Sequence, residues 1–176
     1  MKSGESFSEK DYQRGDRYVD KVISKIHKAG VNAEKNPRAK TYQQRLEDAK
    51  YGDIKISYGN GNKINAEVKS SMWVPYNETM VTEVDIYIFK NGDNDFVCTD
   101  VEFIKNKLKK EESKLNLSTS RGTEGTRKDY EKDHRVEDPK QPKKKRADLG
   151  YRLGLNEFPP NTLLKLERYL QNPSFH

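Results

Sequence analysis

Residues 51–71 read YGDIKISYGNGNKINAEVKSS, and the way the two halves of this stretch pair decides the fold. Ile54, Ile56 and Tyr58 fall on one face of the first half, with Asp53, Lys55 and Ser57 on the other. In the second half Ile64, Ala66 and Val68 oppose Asn65, Glu67 and Lys69. Such alternation is the period of a half-buried strand, and GNGN between the runs is a hairpin signal. A two-residue loop at Asn60–Gly61 would set Ile54 against Glu67 and mix the faces. A three-residue loop or a bulge instead pairs Ile54 with Ala66 and Ile56 with Ile64, since residues directly opposite in an antiparallel pair share a face. That register sets Asp53 across from Glu67, with Cβ atoms about 4.5–5.5 Å apart, and leaves Lys69 on the same face.

Two carboxylates that close repel each other unless one is protonated or a cation lies between them. A divalent ion is an economical answer. Magnesium prefers oxygen ligands, keeps several waters and commonly takes one or two carboxylates plus phosphate oxygens. Asp53 and Glu67 supply the carboxylates, and the backbone carbonyl of Val68 completes the protein's share. Lys69 then acts on an attacking water and balances charge on a phosphate. The bland alternative is a solvated sheet face on which Glu67 and Lys69 are ordinary ion partners.

Outward from the hairpin, residues 15–30 (GDRYVDKVISKIHKAG) carry Tyr18, Val19, Val22, Ile23 and Ile26 at helical spacing, closed by Gly30. Residues 31–35 read as a short strand ended by Asn36-Pro37, and residues 41–50 as a short polar helix. A third strand is expected over residues 81–89, a fourth over 96–99, and a helix over 101–115. From residue 116 the apolar period dissolves into Gly, Ser, Thr, Pro and charge, which reads as a flexible loop or arm. Leu163, Leu164, Leu166 and Leu170 then suggest a terminal helix over residues 162–170. The expected class is α/β, a mixed central β-sheet flanked by helices with a basic, partly flexible C-terminal extension. The divisions fall at residues 1–115 for the core, 116–150 for the basic loop or arm, and 151–176 for a C-terminal helix docking on the core.

Composition bounds the function. The chain has 176 residues, 32% hydrophobic and 35% charged, so its core is lean and part of it is solvated. No apolar run is long enough to span a bilayer, and the N-terminus lacks the apolar stretch of a signal peptide. The single cysteine, Cys98, excludes an internal disulfide framework and fits a reducing compartment. With three histidines in all, a Cys/His zinc cluster is not expected. The expected location is cytoplasmic, or nuclear if the host has a nucleus and Pro142 to Arg146 (PKKKR) is an import signal.

Between Lys105 and Arg146 there are 15 Lys/Arg against 8 Asp/Glu, a net of +7, whereas the whole chain is +6. The positive charge is therefore local, as expected of an element that faces a polyanion. Arg121, Arg127, Lys128, Lys143, Lys144, Lys145 and Arg146 are the candidate nucleic-acid contacts, where neutralised phosphates would release counterions. A solvated charged linker is the alternative. Trp73 and Tyr76, in the loop after the motif, either stack on bases or fold back over the sheet. Ser70 and Ser71 either bond phosphate or finish the strand. Glu78 is an extra acid near the metal or a solvated loop residue. His27, along the helix from Asp20, is either catalytic or a surface or half-buried histidine, the latter being the safer reading, and Cys98 reads as a small core residue.

Gly52-Asp53, followed 14 positions after the Asp by Glu67-Val68-Lys69-Ser70, resembles the PD-(D/E)XK nuclease superfamily, which includes many restriction endonucleases and junction resolvases. The resemblance covers roughly residues 15–115. Tyr51-Gly52 replaces the Pro-Asp prelude of that family. Gly15 to Tyr18 fits the start of the G-x-x-F/Y-E pattern of resolvase-like members, with Val19 in the acid's place and Asp20 one position late. The resemblance implies a restriction-endonuclease-like αβββαβ core and a magnesium-dependent DNA endonuclease, with manganese substituting. It assigns catalysis to Asp53, Glu67 and Lys69, and the metal to Asp53, Glu67 and the Val68 carbonyl, with Asp16 or Asp20 of the first helix as a further candidate. Duplex or branched DNA and a homodimer are the implied partners. A nucleic-acid-binding protein without catalysis, and the same chemistry on RNA, are the competing readings.

Overall fold

The computed structural model describes residues 3–37, 50–117 and 149–171. A six-stranded mixed sheet organises them, in the order β1-β2-β3-β5-β6-β9. Its strands are β1 (Asn32–Lys35), β2 (Ile54–Ser57), β3 (Lys63–Lys69), β5 (Ile86–Asn91), β6 (Asn94–Cys98) and β9 (Leu163–Lys165). Only the β3–β5 pair is parallel. A second, three-stranded sheet joins β4 (Trp73–Pro75), β8 (Leu149–Arg152) and β7 (Asn116–Leu117), in the order β4-β8-β7. The helices are α1 (Ser3–Lys28), α2 (Tyr76–Val81), α3 (Val101–Lys110) and α4 (Leu166–Gln171). Among the described residues no helix is long and apolar enough to cross a membrane.

The hairpin adopts the register that strand parity requires. Ile54 stands opposite Ala66 and Ile56 opposite Ile64. The loop is the three residues Gly59, Asn60 and Gly61, with Tyr58 N–H donating to the Asn62 carbonyl at 2.8 Å. Gly61 N–H reaches back to the Tyr58 carbonyl at 3.0 Å, and Gly61 has φ +87°. A type I turn followed by a left-handed glycine is the standard three-residue hairpin loop.

α1 ends in a Schellman cap. Val31 N–H donates to the Ile26 carbonyl and Gly30 N–H to the His27 carbonyl, with Gly30 at φ +82°. Its stripe of Tyr18, Val19, Val22 and Ile26 packs on Ala33, Ile54, Ile56, Ala66, Val68, Ile86, Ile88 and Val97, and Leu166, Tyr169 and Leu170 of α4 join this core. On the other side of the sheet Tyr87, Phe89 and Cys98 meet Ile104 and Leu108 of α3, with Val74 of the smaller sheet and Met72 and Leu153 just beyond its β4–β8 pair. β5 runs Ile-Tyr-Ile-Phe with all four residues buried because it has a layer on each face. β2 has one: Ile54 and Ile56 are buried while Lys55 and Ser57 are half-exposed. The polar face of β2 and β3 therefore emerges where the second layer stops.

Several elements differ from those the sequence predicts. α1 begins at Ser3, not Gly15, because its first half is polar and shows no stripe. The loop after β3 holds β4 and α2, and Val81 is the last residue of α2, so the third expected strand starts at Ile86. The fourth covers Asn94–Cys98, and the helix over residues 101–115 stops at Lys110 before a 3₁₀ turn at Glu112–Lys114. Residues 163–165 are a strand on β6, and only residues 166–171 are helical. Asn116–Leu117, expected within the loop, and Leu149–Arg152, which straddles its expected end at residue 150, pair as strands. The polar helix expected at 41–50 lies largely outside the described residues, as does most of the basic arm.

Candidate functional site

β2 stops at Ile54 while β3 continues to Lys69, so the Val68 N–H lies beyond the last rung of the ladder. Asp53 fills the gap with its side chain: Oδ2 accepts the Val68 N–H at 2.8 Å. The backbone delivers Asp53 there through Gly52. Gly52 has φ +73°, and a Cβ on it would stand 2.5 Å from the Ala66 carbonyl oxygen and 2.7 Å from Val84 Cγ1. Only glycine permits both the conformation and the contact. Proline, with φ fixed near about −65°, could not stand here. Asn36, at the end of β1, clamps the same turn. Its Nδ2 donates to the Tyr51 and Gly52 carbonyls at 3.0 and 3.1 Å, and its N–H to the Asp53 carbonyl at 2.9 Å. Sequence reasoning treats Asn36 only as a strand terminator; nothing local signals a clamp onto residues 15 to 17 positions away.

Glu67 and Lys69 project from β3 on the face away from α1. Lys69 Nζ lies 2.8 Å from Glu67 Oε1 and 3.4 Å from Glu78 Oε2, a residue of α2. The Glu67 and Lys69 side chains are 12% and 18% exposed, so both charges are largely withdrawn from water. Burial, reinforced by the Asp53 and Glu78 charges and opposed by Lys69, pushes the Glu67 carboxyl up to about 8. Burial acts to lower Lys69, but Glu67, Glu78 and Asp53 outweigh it and hold the ammonium well above its ordinary range. Tyr87 stands across from Glu67 in the β3–β5 ladder, fully buried.

The Glu67 shift has a consequence for stability. Between the ordinary carboxylate range and about 8 the folded protein keeps a proton that the unfolded chain has lost. This contribution is complete below the unfolded value and is lost as pH rises through the folded one. In metal-free buffer Tm is expected to fall between about pH 5 and pH 9, by about 3 °C per kcal/mol for a chain of this size. Glu67→Gln should flatten that fall; a Tm profile unchanged by the substitution would show that Glu67 titrates normally.

The donors at this point are two carboxylates and the Val68 carbonyl, which leaves the strand on the same flank as its N–H and hence towards Asp53. Hard oxygen donors short of a full cage suit magnesium, which retains waters. The crowding that lifts Glu67 is what a cation would relieve. Among the described residues no group of three or more His, Cys, Asp and Glu side chains forms a ready metal cage.

The other candidates stand elsewhere. Asp20 is on α1, on the opposite side of the sheet, 62% exposed and paired with Lys35 at 2.6 Å; α1 does not bring it to Asp53 and Glu67. Asp16 is half-exposed on the same helix. Ser71 Oγ accepts the Trp73 N–H at 3.3 Å, while Ser70 is exposed. The Trp73 ring packs over Gly150, where a Cβ would come within 2.5 Å of it, and Tyr76 packs against the second core, so both aromatics cover the sheet. His27 donates from Nε2 to the Ala33 carbonyl at 2.9 Å. Cys98 is fully buried, its thiol pushed up to about 12 by burial. Arg121, Arg127, Lys128, Lys143, Lys144, Lys145 and Arg146 lie outside the described residues. The strands at both ends of that segment, β7 and β8, pair with each other, and β8 pairs with β4, four residues after Lys69. Comparison of the chain with protein-family models, curated proteins and solved structures finds no match.

Proposed function

We infer that the protein is a magnesium-dependent endonuclease that hydrolyses phosphodiester bonds in DNA. The observation that carries this reading is the convergence of Asp53, Glu67 and Lys69 at the point where β3 outruns β2, with Glu67 raised by burial and by Asp53. The chain order α1-β1-β2-β3-β4-α2-β5, with β4 leaving for the smaller sheet and β5 parallel to β3, supports a restriction-endonuclease-like core. The local positive charge from Lys105 to Arg146 supports a nucleic-acid substrate.

In this reading Asp53, Glu67 and the Val68 carbonyl hold magnesium, and manganese substitutes. Bound there, the ion supplies an acidified water and a counter-charge for phosphoryl oxygens. Asp53 is fixed by the Val68 N–H, so its carboxylate is held in a defined orientation. Lys69 orients the attacking water and offsets negative charge building on the phosphate. A concerted cut through both strands calls for two such sites, and a homodimer would provide them.

Supercoiled plasmid incubated with the protein and Mg²⁺ is expected to be nicked, and EDTA to stop it. Absence of cleavage on supercoiled, linear and branched DNA, together with tight salt-sensitive binding, would favour a binding protein. Cleavage confined to single-stranded or duplex RNA would move the same chemistry to another substrate.

A further inference from the structure

Lys69 has two acidic partners and one ammonium to share between them. Glu67 Oε1 is at 2.8 Å and Glu78 Oε2 at 3.4 Å, and the Glu78 side chain is 41% exposed. The position of Glu78 is built into the fold. Thr79, the next residue, is fully buried and donates from Oγ1 to the Pro75 carbonyl at 2.6 Å. The Tyr87 hydroxyl donates to Thr79 Oγ1 at 3.4 Å, and Tyr87 stands on the same ladder rung as Glu67. A buried hydroxyl chain therefore ties α2 to the sheet beside Glu67 and holds Glu78 within reach of the lysine.

An ammonium 2.8 Å from Glu67 opposes a second cation on that carboxylate, because like charges at such distances repel strongly in a partly dehydrated site. We propose that Glu78 is the alternative seat of the Lys69 ammonium, drawing it off Glu67 when a divalent cation arrives and so setting the cation affinity of the site without touching the cation. This rests on Asp53 and Glu67 being the cation ligands. Glu78 is then a positioning residue, acting through Lys69, and its effect depends on the lysine being present.

The test is a double-mutant cycle on Mn²⁺ binding by the whole chain, read from the electron paramagnetic resonance signal of free Mn²⁺. High ionic strength screens the bare loss of a half-exposed charge. Glu78→Gln is expected to weaken Mn²⁺ binding about tenfold, the scale of outer-shell changes at metal sites. Lys69→Met should bind Mn²⁺ more tightly than the native chain. In the Lys69→Met background Glu78→Gln should change the affinity by less than about twofold. Lys69→Gln provides a second lysine-free background should Lys69→Met fold poorly. An equal loss from Glu78→Gln with and without the lysine would overturn the proposal, since Glu78 would then act on the cation itself. No loss in the native background would overturn it as well. Failure of every variant and the native chain to bind Mn²⁺ would remove the cation reading of Asp53 and Glu67, and this inference with it.

Discussion

Lys69→Ala is expected to lower plasmid nicking by about 10²–10⁴-fold, the span of a well-placed acid–base group, while the protein stays folded. Loss of the ammonium strips Glu67 of its 2.8 Å partner and leaves Asp53 and Glu78 as its charged neighbours. In an unrelieved site that would be costly. Glu67 has an escape, because burial already raises it to about 8 and a bound proton removes the repulsion. Tm of Lys69→Ala should therefore stay close to native at mildly acidic pH. Circular dichroism and a melting curve recorded beside the nicking assay separate the two effects. Nicking that persists in Lys69→Ala would take the lysine out of the chemistry and leave it as a counter-charge for the two acids.

The largest expected loss of stability lies on the other side of the sheet, away from the site. Asp95 of β6 is 3% exposed and accepts a hydrogen bond from the Tyr18 hydroxyl at 2.7 Å; Lys25 of α1 completes the group as its ion partner. Burial, with the Asp95 carboxylate alongside, holds the Tyr18 hydroxyl well above its ordinary range, so it remains a donor. Asp95→Ala strands the buried Tyr18 hydroxyl and leaves the Lys25 ammonium, 31% exposed, without its partner, and breaking a largely buried group in this way costs about 3 kcal/mol. At about 3 °C per kcal/mol, Tm should fall by about 10 °C. The loss comes from stranding the partners, since the net worth of such a group against an apolar one is small. Asp95→Leu combined with Lys25→Met and Tyr18→Phe should therefore recover most of the melting temperature. A drop in the triple variant as large as in Asp95→Ala would mean that the group contributes net stability.

The contrast between these two clusters explains what the sequence makes legible. Asp53, Glu67 and Lys69 lie within one hairpin, and strand parity alone fixes their common face; the same parity requires a three-residue loop or a bulge, and the structure has the loop Gly59-Asn60-Gly61. Tyr18 and Asp95 are 77 positions apart, and no periodicity links them. The stripe of α1 is legible from Tyr18 to Ile26, where every turn meets the sheet, and fades before Gly15, where the helix is polar.

Short elements are lost for a related reason. Trp73–Pro75 and Leu163–Lys165 are three-residue strands, too brief to display a period, and each owes its conformation to a distant partner strand. Residues 162–170 carry leucines that satisfy a helix, yet β6 offers a free edge and takes Leu163–Lys165 as β9. At the site, Glu78 is ambiguous in sequence because it lies on a six-residue helix; only the Tyr87–Thr79–Pro75 hydroxyl chain places it over Lys69. Gly52 is a similar case. Nothing in the letters around it marks a constraint, yet its φ of +73° and close approach to the Ala66 carbonyl admit no other residue.

In the proposed mechanism Asp53 and Glu67 share a divalent cation. Anomalous scattering from crystals of the full chain grown with Mn²⁺ tests it most directly. A single strong anomalous peak is expected within coordination distance of the Asp53 and Glu67 carboxylates, flanked by the Val68 carbonyl and absent in Asp53→Asn. A peak elsewhere, or a well-ordered site in which Lys69 still bridges Glu67 and Glu78 with no ion beside them, would contradict it.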